Sequence, residues 1–197
     1  MNYSRRIVVV SVSTLAVGLL AISATTASAA PTTAVTFKGY AKCGFSGTLT
    51  STPGITNTSA PLTIKLTGTL TTCTGNISQG GVKITGGRAA GVVHATASCT
   101  SLNSIAPSMT ITWTANSPGA TPTKLGFSNA SVADGAPITV TLPGSGGTSK
   151  ATGSFAGTKS TALLVVQQSA GTVSSQCATS KGVSSLNLTK ASRITVQ

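Results

Sequence analysis

The nine residues LTIKLTGTL (62–70) put Leu62, Ile64, Leu66 and Leu70 on one parity and Thr63, Lys65, Thr67 and Thr69 on the other. Alternation of period two is the pattern of a strand with one face on a core and the other in water. It recurs with Met109, Ile111 and Trp113 in MTITWT and with Ile138, Val140 and Leu142 in ITVTL. Leu186 and Leu188 in SLNLT and Ile194 and Val196 in RITV repeat it near the end of the chain. Threonine is the usual outward residue, because its branched Cβ suits a pleated surface and its hydroxyl tolerates water. One run differs: ALLVVQQ (162–168) is apolar on both parities for five residues, which predicts a strand in the middle of a sheet.

Between these runs stand clusters rich in glycine and proline: STPG (51–54), TGN (74–76), QGG (79–81), TGGR (85–88), NSPGATP (116–122), PGSGGTS (143–149) and SKG (180–182). Such clusters punctuate short strands rather than helices, and no window carries a helical period. The expectation is an all-β domain, an antiparallel β-sandwich of about eight to twelve short strands, with a barrel as the alternative. A membrane-spanning barrel would need aromatic girdles, and the chain has only seven aromatic residues. SGTLT (46–50) and TGTLT (67–71) are similar and are expected to pair.

Residues 1–29 read as a cleaved signal peptide. Arg5 and Arg6 precede an apolar run from Ile7 to Ile22, and Ala27-Ser28-Ala29 fits the small-residue cleavage pattern. Residues 30–197 then form a single exported domain, long enough to enclose a proper core. No transmembrane segment is expected after cleavage. LPGSG (142–146) is internal, without a following apolar tail, and reads as a loop. Cys43, Cys73, Cys99 and Cys177 form an even set with no C-x-x-C pair, so two disulfides are expected and a metal site is not. Of the three connectivities, Cys43–Cys73 with Cys99–Cys177 is preferred. The first bond ties the two similar GTLT strands, and the second pins the late part of the chain to its middle.

Without Arg5 and Arg6, eleven cations face a single carboxylate, a net charge of +10 before the termini. Lys38, Lys42, Lys65, Lys83, Arg88, Lys124, Lys150, Lys159, Lys181, Lys190 and Arg193 are never adjacent. All of them except Lys124 are taken as candidate contacts to an anionic polymer of the cell envelope wherever the fold gathers them. Nucleic acid is disfavoured, because aromatic residues for base stacking are few.

The single acid, Asp134, and single histidine, His94, exclude most hydrolytic chemistry. Glycosidase and aspartic-protease sites need two carboxylates, and calcium or two-metal sites need several. A Ser-His-Asp set of His94, Asp134 and Ser154 is the enzyme alternative, but GSFAG (153–157) matches no nucleophile loop. Parity turns His94 outward if Cys99 points inward to a disulfide. Asp134 precedes Gly135 and reads as a turn former. Trp113 shares its parity with Met109 and Ile111 and is expected in the core. Tyr40 and Phe45 bracket Cys43 and are expected to pack against its disulfide. A third reading is an inhibitor or effector that presents the loop NSPGATPTK (116–124) to another protein.

Cys43 with GFSGTLT, GTLTTC ending at Cys73, CTSL from Cys99, TWT around Trp113, GSFAG and the KGVSSLNL that follows Cys177 carry a family likeness. Over residues 40–196 the chain resembles uncharacterised secreted β-rich proteins of actinobacteria. The resemblance implies a sandwich with four paired cysteines and brings no catalytic residue and no cofactor. The reading from the sequence is therefore a secreted, non-catalytic binding or structural protein.

Overall fold

A computed structural model describes residues 33–197, so the leader expected over 1–29 lies outside the described residues. The alternating segments form strands. In chain order they are β1 (Ala41–Ile55), β2 (Ala60–Gly75), β3 (Ser78–Gln79), β4 (Val82–Ser98), β5 (Ser101–Ala115) and β6 (Thr123–Phe127). After these come β7 (Ser131–Ala133), β8 (Thr139–Leu142), β9 (Ser149–Gly153) and β10 (Thr161–Val165). A helix, α1 (Ala170–Cys177), precedes the last strand, β11 (Val183–Val196). Every pairing between these strands is antiparallel.

Ten strands lie in one hydrogen-bonded path, β7-β8-β10-β11-β1-β2-β4-β5-β6-β9, with β3 attached to β4. The connections show that this sheet cannot be flat. β6 and β7 stand eight strand spacings apart along the path, about 38 Å in a flat sheet. Only residues 128–130 join them, a reach of roughly 14 Å. The sheet therefore curls until its two ends approach. Loops 128–130 and 143–148 lace those ends together: the Ser128 amide donates to the Thr148 carbonyl at 2.9 Å and the Thr148 amide to Ser128 Oγ at 2.8 Å. Asn129 adds two bonds, accepting from the Gly144 amide and donating to the Ser145 carbonyl.

One face of the curl surrounds one core. Phe45 of β1, Leu66 and Leu70 of β2, Ile84 of β4, Ile111 and Trp113 of β5, Leu125 of β6, Leu164 of β10 and Ile194 of β11 all belong to it. A smaller apolar cluster, Leu62, Ala95 and Ala97, sits separately at the far ends of β2 and β4. As the alternation requires, threonines turn outward and pair across strands: Thr48 and Thr67 hydroxyls lie 3.3 Å apart. The two GTLT segments do pair, with Gly47 opposite Gly68. A side chain at Gly68 would collide with the Phe45 ring at 2.5 Å, so glycine there admits the aromatic ring to the core.

Several expectations are corrected. The strands are not uniformly short: β1, β2, β4, β5 and β11 run 15, 16, 17, 15 and 14 residues. STPG and TGGR, read as turns, lie inside β1 and β4. A Cβ at Gly86 would stand 2.6 Å from the Leu70 carbonyl oxygen, and one at Gly87 2.8 Å from that of Thr112. These glycines let backbones approach within a curled sheet and do not reverse the chain. A helix also forms where none was expected. Ser169 caps α1, its side chain accepting from the Thr172 amide. Tyr40, expected against the disulfide, is 47% exposed.

Other expectations hold. The disulfides are Cys43–Cys73 and Cys99–Cys177, with Cα separations of 4.1 and 6.1 Å. Two disulfides fit an oxidising compartment. Trp113 is buried and its indole N–H donates to Thr123 Oγ1 at 2.9 Å. β10 lies between β8 and β11, inside the sheet. No helix among the described residues is long and apolar enough to cross a membrane.

Candidate functional site

Each of the eleven cations is exposed. Strand register decides which of them share a surface. One outward row runs Thr152, Lys124, Thr110, Ala90, Thr67, Thr48, Asn187 across β9, β6, β5, β4, β2, β1 and β11. The next runs Lys150, Gly126, Ser108, Val92, Lys65, Thr50, Ser185 over the same strands. On the other side of the first row lie Thr112, Arg88, Thr69 and Ser46. Lys65, Arg88, Lys124 and Lys150 thus occupy three adjacent rows, within roughly 20 Å along the surface. Lys124 and Lys150 are diagonal neighbours, their Cβ atoms about 7–8 Å apart. Between them stand the hydroxyls of Thr67, Thr69, Ser108, Thr110 and Thr112 together with Ala90, Gly126 and the exposed Val92. The single Asp, Asp134, is in the β7–β8 turn rather than among them.

By the same register Lys190, level with Ser46 between the Phe45–Ser192 and Gly47–Leu188 pairs, and Lys42 and Arg193 beyond it extend the cationic face from the Arg88 row onto β1 and β11, each within roughly 16 Å of Arg88. Lys42 and Arg193 form a second diagonal pair on β1 and β11, with Thr195 opposite Lys42 and Gly44 opposite Arg193. Lys83 is paired with Ser78 at the β3–β4 hairpin. Lys38, Lys159 and Lys181 lie outside the strands, and Lys190 sits where the β1–β11 register slips.

The three residues of the hydrolase alternative occupy three different environments. His94 is exposed on β4, and its Nδ1 lies 3.3 Å from the Thr63 hydroxyl of β2. Ser154 is fully buried, and its Oγ accepts from the Phe37 amide at 3.2 Å. Asp134 is exposed in a turn where the Gly135 amide donates to the Ala133 carbonyl at 3.1 Å. The loop of the inhibitor alternative is laced down. Val35 pairs with Ala120, its amide donating to the Gly119 carbonyl at 2.7 Å and its carbonyl accepting from Thr121. Asn116 at the start of that loop accepts from the Lys83 amide at 2.7 Å.

A second feature was not read from the sequence. A cavity of about 370 Å³ opens where the main core and the small cluster fail to merge. Ile55, Leu102, Ile138, Val166, Val173 and Leu186 line it, together with the Cys99–Cys177 disulfide. Its walls come from β1, β5, β8, α1, β11 and the stretches beside them, which no local motif links. Asp134 stands on its lining as the one charged residue there. Comparison with protein-family models, curated proteins and solved structures finds no match to this chain.

Proposed function

We propose that the chain is a secreted, non-catalytic binding protein that holds an anionic polymer of the cell envelope. The contact is the outward face of β2, β4, β5, β6 and β9. The observation that carries this reading is the gathering of Lys65, Arg88, Lys124 and Lys150 in three adjacent rows of one threonine-covered surface. Cations there meet phosphate or carboxylate groups, while flanking hydroxyls donate to and accept from sugar hydroxyls. A protein partner is the other candidate occupant of such a face. Nucleic acid is disfavoured because Trp113 and all four phenylalanines are buried, leaving Tyr40 as the exposed aromatic among the described residues. The lone His pairs with the Thr63 hydroxyl, the lone Asp stands in the β7–β8 turn and Ser154 is buried, and these different settings support a non-catalytic reading. The same proposal takes the curled sheet as a pressed barrel whose opposed walls stand as the two layers of the expected sandwich. The short β6–β7 and β8–β9 connections support it.

Binding to an immobilised anionic wall polymer is expected to fall steeply with salt. With four cations engaged, and a charge density like that of duplex DNA, the association constant should drop roughly 10²-fold between about 50 and 200 mM salt. Equal retention at both concentrations would remove the polymer reading.

A further inference from the structure

We infer that the cavity beside the Cys99–Cys177 disulfide binds a small amphiphilic cation, an apolar chain or ring that carries a protonated amine. The inference is independent of the polymer reading, since none of the four cations on the threonine-covered face lines this cavity.

Three observations lead to this ligand chemistry. The volume of about 370 Å³ lies within the range of roughly 300–1,000 Å³ common for small-ligand pockets. Ile55, Leu102, Val140, Val166, Val183 and Leu186 make an aliphatic wall, and Ser98, Thr100, Ser101 and Ser131 add hydroxyls to the lining. An occupant therefore needs an apolar body, whose burial there removes apolar surface from water on both partners. The third observation selects the head group. None of the eleven cations among the described residues lines the cavity, whereas the single Asp does. Lys181, two residues from Val183 and against Gly54, stands next to the cavity but off its lining. More distant cations are screened beyond about 8 Å at physiological ionic strength, and Asp134 is the charge on the lining itself. An ammonium meets a carboxylate at the mouth; a carboxylate ligand meets a like charge.

The arrangement also accounts for the place of Asp134. Neither Asp134 nor Gly135 takes a positive φ and the bond that closes the turn is between backbone groups, Gly135 to Ala133, so asparagine fits position 134 equally. Placing the one acid of a strongly basic chain at the mouth of an apolar cavity adds something the turn does not require.

The test is a binding titration of the protein with decylamine, decanol and decanoate, each below its micellar concentration. Decylamine should bind most tightly and decanoate most weakly. Asp134→Asn, which keeps the turn, should weaken decylamine roughly two- to five-fold, the scale of an exposed ion pair, and leave decanol unchanged. Val173→Trp, which fills the cavity from α1, should weaken all three at least about tenfold. A Val132→Trp variant, placed on an exposed position of β7 at the rim, gives the same readout without touching the helix. Decanoate binding as tightly as decylamine, or decylamine binding unaltered in Asp134→Asn, would overturn the choice of head group. Failure of all three probes to bind, or binding unaltered by both tryptophan variants, would overturn the site itself.

Discussion

Replacing Cys99 and Cys177 together by serine is expected to lower the stability of the domain by about 4 kcal/mol. The bond closes a loop of 78 residues, and the chain-entropy relation gives about 4.5 kcal/mol for a loop of that length. A second effect acts in the folded state. α1 has eight residues, fewer than the roughly 12–15 an isolated helix needs in water. Its anchors are Cys177, which is 2% exposed, and Val173, which packs against the core. Without the bond the helix has little to hold it, and one wall of the cavity goes with it. Cys43 and Cys73 provide the comparison. Their loop is 30 residues, worth about 3.6 kcal/mol by the same relation, and they join β1 to β2, strands already zipped along their length. Urea unfolding of the two double variants should therefore rank Cys99/Cys177 as the more damaging. The opposite ranking would show that α1 and the cavity wall are held by something other than the disulfide.

The second large effect is expected at Phe155. Its ring is fully buried, stacked on Phe37 at 5.6 Å and edge-on to Trp113 at 5.3 Å. Hydrogen bonds bind the same group: the Phe155 amide donates to the Phe37 carbonyl at 2.7 Å, and the Thr123 hydroxyl donates to the Ser154 carbonyl at 2.7 Å. Residues from before β1, from β5, from β6 and from after β9 thus converge on one ring. Phe155→Ala should cost about 3–5 kcal/mol, the usual range for deleting a buried phenyl group. The backbone at Phe155 has φ of 56°, a left-handed conformation that favours glycine. Its retention by a phenylalanine indicates that the packing of the ring outweighs the backbone cost. Tyr40→Ala, which removes an exposed ring, should cost under about 1 kcal/mol. Similar losses for the two variants would mean that the aromatic cluster does not anchor the end of the sheet.

Much of this fold is legible because alternation is a local property. The parity that separates Leu66 from Lys65 needs only adjacent residues, and it sets the facing of β2, whereas in β4 the buried parity switches between Ile84 and Ala89 where the register shifts. The core position of Trp113 and the Asp134-Gly135 turn follow from similarly short stretches, whereas the cystine pairing is a preference among three connectivities, since its partners lie 30 and 78 residues apart. The curl does not, because it depends on β6 and β7 lying three residues apart in sequence and eight strands apart in the sheet. Glycine misled for a physical reason. Gly80 and Gly81 take positive φ in a turn with open space around them, whereas Gly86 and Gly87 sit in a strand pressed against neighbouring carbonyls. One letter serves both needs. α1 escaped because a serine cap followed by a glycine- and serine-rich octet carries almost no helical period. The cavity had no local signal at all, since its lining is drawn from residue 55 to residue 186.

The face of β2, β4, β5, β6 and β9 is the centre of the functional account, and charge removal at matched number tests it directly. Lys65→Gln, Arg88→Gln, Lys124→Gln and Lys150→Gln are combined in one variant. Lys38→Gln, Lys83→Gln, Lys159→Gln and Lys181→Gln, which lie off that face, are combined in another with the same net charge. Affinity for the anionic wall polymer is then measured for both across a salt series. The first variant should lose roughly 10²-fold or more and most of its salt dependence, while the second stays within about threefold of the parent. Equal losses in the two variants would show a diffuse field rather than a site, and would contradict the assignment of this face.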